Sequence, residues 1–173
     1  MAHALIFYAT DVLPTDDIRA RMPRARQSAG ASQLAARLEE VCPAPTTRSR
    51  SHSRAIVAAA VGAAPGLVLG IDVEWMAPNR PFDGIARMLL PSASPQMDMQ
   101  TFYSGWTFAE AYYKGFGHFP EEVLIREAVG ARDGDALRLA DGTHVLLDHV
   151  AEDFRLCLVW RHAGSGFEVV RMQ

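Results

Sequence analysis

Cysteine is scarce in this 173-residue chain: the two present, Cys42 and Cys157, stand far apart and match no metal-ligand spacing. A disulfide framework is therefore not expected, and a reducing, cytoplasmic setting is the simplest home. Positive charge is not in excess either. A net charge of −3 and a sequence pI near 6.0 argue against a nucleic-acid partner, whose binders are normally basic. The opening segment MAHALIFYATDV has no basic n-region and only a short apolar run, so no secretory signal is expected. Residues 55–71 are uncharged for 17 residues, short of the roughly 20 a bilayer span needs. Gly62, Pro65 and Gly66 interrupt them, which predicts two core strands joined by a turn and no membrane partner.

With 49% apolar and 21% charged residues, the chain has material for one sizeable core or for two small halves packed together. Residues 4–9 read as a first strand. Residues 15–41 carry a helical pattern with Leu34, Leu38 and Val41 at core spacing, ended by Pro43 and Pro45. TTRSRSHSR (46–54) reads as a polar, basic connector. The two strands follow and end at Trp75; APNRPFDG and PSASPQMD are loops around a short helix at 85–90. A longer helix spans 100–116, with Phe102, Trp106, Ala109, Tyr113 and Phe116 on one arc taken as its core face. The tail reads as β: EEVLIREAV, DALRLAD, GTHVLLDHV, FRLCLVWR and FEVVRM are short, roughly alternating runs. In FRLCLVW, Phe154, Leu156, Leu158 and Trp160 point one way, and Arg155, Cys157 and Val159 the other. The expected fold class is α+β.

Three stretches carry chemistry. In VLGIDVEW, Asp72 and Glu74 share one strand face with Gly70, while Leu69, Ile71, Val73 and Trp75 take the other. Two carboxylates roughly 6.5–7 Å apart can converge on one cation, and an oxygen-only set favours a hard ion such as Mg²⁺. The plainer reading is an acidic strand end facing water. In the helix, Glu110 and Lys114 are four apart, hence neighbours on the flank of the apolar arc. They fit a surface ion pair, or a third metal ligand beside a phosphate contact. In RSRSHSR, His52 sits among Arg48, Arg50 and Arg54. That is a solvated basic linker, or an anion site whose Arg and His groups donate to phosphate oxygens. Acids for a cation together with bases for phosphate are what phosphoryl transfer needs. His3, His118, His144, His149 and His162 show no ligand spacing.

The order SHS (51–53), GIDVE (70–74), WTFAEAYYK (106–114) resembles the 4′-phosphopantetheinyl transferase superfamily, nearest its surfactin-type branch. The third motif of that family reads roughly Trp-Ser/Thr-x-Lys-Glu-Ala/Ser-x-x-Lys; Trp106, Thr107, Glu110, Ala111 and Lys114 fit it, whereas Ala109 stands where a basic residue is usual. The Gly-Lys-Pro segment that often precedes the histidine motif is absent. The resemblance spans most of 50–165. It implies two pseudo-symmetric halves, each a small antiparallel sheet packed against helices, with a compact first half over 1–66 and the metal-site motifs in 67–173. It further implies transfer of the phosphopantetheine arm of coenzyme A to a serine of an acyl or peptidyl carrier protein. Asp72, Glu74 and Glu110 would hold Mg²⁺, and Glu110 would act as base. Lys114 would assist the leaving phosphate. Ser51, His52 and Arg54 would face coenzyme A, with Arg24 or Arg26 reaching its 3′-phosphate. A monomer is expected, with Arg48, Arg50 and Arg54 offering a basic rim to an acidic carrier. Two rivals remain: a non-catalytic relative that binds coenzyme A or a carrier, and a metal-dependent hydrolase of small phosphates.

Overall fold

The strand IVAAAVGA, β3 (Ile56–Ala63), contains no polar side chain, and its position explains why: both of its faces are covered. Ile56, Ala58 and Ala60 pack into one core, Val57, Ala59 and Val61 into another. Around it lie β1 (His3–Val12), β2 (Thr47–Ser53) and β8 (Gly166–Arg171), forming a four-stranded sheet in the order β2-β3-β1-β8. Helix α1 (Arg24–Val41) covers the outer face through Ala31, Leu34, Ala35 and Leu38. A second sheet contains β4 (Val68–Trp75), β5 (Ala136–Arg138), β6 (His144–Ala151) and β7 (Phe154–Arg161), in the order β4-β7-β6-β5. Its outer face carries α2 (Asp83–Leu89), α3 (Met99–Phe116) and α4 (Glu122–Val129). The inner faces of the two sheets share one core, from Ile6 and Tyr8 on one side to Ile71, Leu156 and Trp160 on the other. The fold is α+β, and this computed structural model describes residues 3–92, 97–164 and 166–173.

The strand order repeats. In each half the last strand after the helical segment lies between the strand before that segment and its own predecessor: β2-β3-β1 in the first, β6-β7-β4 in the second, all antiparallel, with the short β5 added beyond β6. The halves are not contiguous segments, however. Strand β8 leaves the second sheet and pairs parallel with β1 from His3↔Gly166 to Tyr8↔Arg171, so the end of the 67–173 segment completes the first half.

Several expectations need correction. The two core strands expected within 55–75 are present as β3 and β4, but in different sheets, and the turn at Pro65 and Gly66 (φ 69°) carries the chain from one to the other. The supposed connector 46–54 is mostly strand β2, whose period of two is written in polar residues. Residues 15–23 are turns, and the helix begins only after Pro23, whose ring suits a helix start. EEVLIREAV is helix α4, not strand, because Leu124, Ile125 and Ala128 bury a helical stripe against α3. On α3 the buried face is wider than one arc. The sheet and α4 flank it, so Phe108, Ala111 and Tyr112 are buried while Tyr113, placed on the core arc, is 47% exposed. Val41, expected at core spacing, is exposed at the last position of α1. In β7 the predicted alternation holds, with Leu156 and Leu158 in the inter-sheet core and Cys157 and Val159 under the helices. Residues 93–96 of the expected loop PSASPQMD lie outside the described residues.

The approach of α3 to β4 depends on Gly70. A methyl group there would lie 2.0 Å from the Ala111 carbonyl oxygen and 3.0 Å from the Gly115 nitrogen, both backbone atoms. Gly70→Ala should therefore cost about 1–3 kcal/mol or more through overpacking. Gly84→Ala in α2, where nothing lies within 4 Å, should be neutral or stabilising by about 0.5–1 kcal/mol. Urea unfolding of the two variants checks this; equal stabilities would contradict the packing described.

Candidate functional site

Strand β4 pairs with β7 on one side only, which leaves the N–H groups of Ile71, Val73 and Trp75 on a sheet edge. Buried backbone donors require partners. Strand β2, itself an edge of the other sheet, supplies them with side chains: Ser49, Ser51 and Ser53 accept from Ile71, Val73 and Trp75 at 3.0, 3.3 and 2.9 Å. Three serines spaced by two residues thus join the two sheets. The alternate residues of β2 face α1, where Arg48 pairs with Glu39 at 3.0 Å and Arg50 bonds the Ser32 hydroxyl.

The seam brings Ser51 against Asp72. The Ser51 hydroxyl donates to Asp72 Oδ1 at 2.7 Å, and accepts from Lys114 Nζ at 2.9 Å as well as from Val73. Its one donor and two lone pairs are then all in use. Lys114, the only lysine of the chain, also donates to Asp72 Oδ1, at 2.6 Å. Asp72 is 3% exposed, and its second oxygen, Oδ2, is buried with no hydrogen-bond partner. Burial pushes the Asp72 carboxyl above its ordinary value, against the pull of the Lys114 ammonium.

Two further acids flank it. Glu74, on the same face of β4, accepts a hydrogen bond from Trp106 Nε1 at 3.3 Å. Burial and the Asp72 charge push its carboxyl up to about 7. Glu110, one turn before Lys114 on α3, is raised by burial and then by Asp72, with Lys114 opposing. The three acids expected from the sequence therefore lie in one electrostatic neighbourhood centred on Asp72. They are not gathered tightly: among the described residues no group of three acidic, histidine or cysteine side chains is set closely enough to enclose an ion. The donor set still suits a hard cation, because it is all oxygen and because the buried Asp72 Oδ2 lacks any other partner.

The basic residues divide. His52 is held below its ordinary pKa by burial and then by the positive charges of Lys114 and Arg24. Arg26 turns away, donating to the Pro14 carbonyl at 3.0 Å. Arg54 stacks over Trp75 at 4.3 Å and, with Arg21 and Arg80, lines a cleft of about 310 Å³ that reaches Glu74. Trp106 escaped the sequence reading as a partner of Glu74. The available signal was that an indole N–H near the interior needs an acceptor. Arg21 and Arg80 carried no signal, since both belong to loops brought in by the tertiary fold.

No family model matches the chain, and no curated protein matches it.

Two predictions follow from these contacts. Ser51→Ala should cost about 1–3 kcal/mol, because it strips a partner from Val73, Lys114 and Asp72 at once. Ser49→Ala removes one bond and should cost less, as thermal or urea unfolding would report. For Glu74, between its ordinary 4.5 and about 7 the folded chain keeps a proton that the unfolded chain has released. Stability conferred by that protonated form is full below the lower value and is lost as pH rises towards the higher one. The window is worth up to about 3 kcal/mol. Urea unfolding in chelator at about pH 5 and about pH 8 should show a smaller pH dependence in Glu74→Gln than in the wild type.

Proposed function

We propose that this protein is a Mg²⁺-dependent 4′-phosphopantetheinyl transferase that modifies an acyl or peptidyl carrier protein. The observation carrying the proposal is the Asp72 constellation: a buried carboxylate with one oxygen bonded to Ser51 and Lys114 and the other unpartnered, flanked by Glu74 and Glu110 at the seam of two halves. The repeated strand order and the succession of SHS, GIDVE and WTFAEAYYK motifs support the same reading.

Asp72, Glu74 and Glu110 would hold the ion, which when bound supplies positive charge to the pyrophosphate of coenzyme A. Glu110, with its raised proton affinity, takes the proton from the carrier serine hydroxyl. The serine oxygen then forms a bond to the phosphorus bearing the pantetheine arm, and the bond from that phosphorus to the bridging oxygen breaks. Lys114 donates a proton to the departing adenosine 3′,5′-bisphosphate. His52 and Arg24 hold phosphate oxygens on the first half of the seam. Because both halves belong to one chain, the protein acts as a monomer. Arg48 and Arg50 are engaged with Glu39 and Ser32, so the docking charge for an acidic carrier falls to Arg54 with Arg21 and Arg80.

A second reading, a non-catalytic relative that binds coenzyme A or a carrier, is favoured by the Lys114 ammonium lying on Asp72 and by Ala109, fully buried where the family carries a base. Mass spectrometry of apo carrier proteins incubated with coenzyme A and Mg²⁺ separates the two. The transferase adds the phosphopantetheine mass, and Glu110→Gln slows that gain by about 10²–10⁴-fold while the fold is kept. Coenzyme A binding with no mass gain on any of several carriers would favour the second reading.

A further inference from the structure

Arg155 is the one charged residue of β7 apart from its terminal Arg161, and it is 3% exposed. Its Nη2 lies 2.7 Å from Asp133 Oδ1 in an ion pair, while Nε and Nη1 are buried with no hydrogen-bond partner. A guanidinium offers five N–H donors in a planar fork that matches the two oxygens of a carboxylate. Leaving most of that fork unpartnered in the interior is costly. Arg155 also lines a cleft of about 560 Å³, together with Gln100, Ser104, Arg132, Asp133 and Asp135. This cleft lies at the first turns of α3, whereas Lys114 lies in the last. The group that holds Arg155 is a loop carboxylate with a side chain 44% exposed, whose second oxygen faces His149 Nε2 at 3.4 Å. Arg132 and Asp135 have no ion-pair partner among the described residues, and Arg132 is exposed.

We propose that this cleft is a binding site for a small carboxylate-bearing molecule, received by the Arg155 fork with Arg132 beside it, and that Asp133 occupies the carboxylate position until a ligand competes for it. Two oxygens from one carboxylate satisfy the fork better than the single contact from Asp133. The aspartates in the cleft lower its positive potential, which favours a monoanionic carboxylate over a phosphate dianion. Arg155 is the cross-strand partner of Glu74 on β4, so the two sites are neighbours, but the test reads binding alone and needs no transfer activity.

The experiment is a titration of ¹⁵N-labelled full-length protein with sodium acetate and, separately, inorganic phosphate, following the amides of Thr101, Ser104 and Ala131. Those of Asp72 and Lys114 report the other site independently. Saturable shifts are expected with acetate at lower concentration than with phosphate. They should be lost in Arg155→Met and appear at several-fold lower acetate concentration in Asp133→Asn, where the competing charge is gone. If Arg155→Met does not fold, Arg132→Gln keeps the fold and should weaken acetate binding several-fold. Any of three results overturns the proposal: no saturable acetate shift in the folded wild type, phosphate binding as tight as acetate, or acetate binding unchanged in both Asp133→Asn and Arg132→Gln.

Discussion

The molecule turns on how two sheet edges meet. An edge strand presents unpaired N–H groups, and proteins cover, twist or charge such edges to keep them from pairing wrongly. Here the edge of β4 is met by another strand, although β4 itself carries Asp72 and Glu74. Its donors are taken up by hydroxyls from β2, residue for residue, with a constant offset of 22 positions. The contact fixes the relative register of the two halves more narrowly than an apolar interface would, because a slip of one residue would turn Arg48, Arg50 and His52 towards β4 in place of the serines. Asp72 and Ser51 are neighbours as a consequence of that register.

The register also creates an electrostatic problem. Asp72, Glu74 and Glu110 are brought near one another where water is scarce; Lys114 answers all three, and Arg80 also answers Glu74. Like charges in a confined space raise one another's proton affinity, and two of the three carboxyls carry that imprint from Asp72 directly. A site in this condition gains from any added positive charge. Lys114 supplies one, shared between Ser51 and Asp72, yet one Asp72 oxygen stays without a partner. On the other side of the seam, His52 experiences the opposite sign, from Lys114 and Arg24. The seam thus separates an acid-rich wall from a base-rich one within a few side-chain lengths.

Much of this was legible in the sequence where periodicity was apolar. The split of β4 into Leu69, Ile71 and Val73 against Gly70, Asp72 and Glu74 follows from a period of two, and α3 from its run of aromatic and small residues. Strand β2 was hidden because its alternation sets serine against arginine, which no hydrophobic pattern reveals. Helix α4 was hidden because eight residues rich in Val, Leu and Ile fit either period. The width of the buried face of α3 depends on having both a sheet and a helix as neighbours, which is a tertiary fact. The candidate acids could be named, since residue type and spacing carry their chemistry. The partnerships of Trp106 with Glu74 and of Arg155 with Asp133 could not, because each joins segments distant in sequence.

The parallel pairing of β8 with β1 has a consequence for the history of each molecule. The first sheet is built mainly from residues 3–63, yet one of its borders is supplied by residues 166–171. Until residues 166–171 have been made, β1 has an open flank and must wait, and closing so long a loop is slow. Pulling β8 away should expose that flank again, so mechanical or proteolytic damage within residues 166–171 would loosen the sheet formed mainly by residues 3–63.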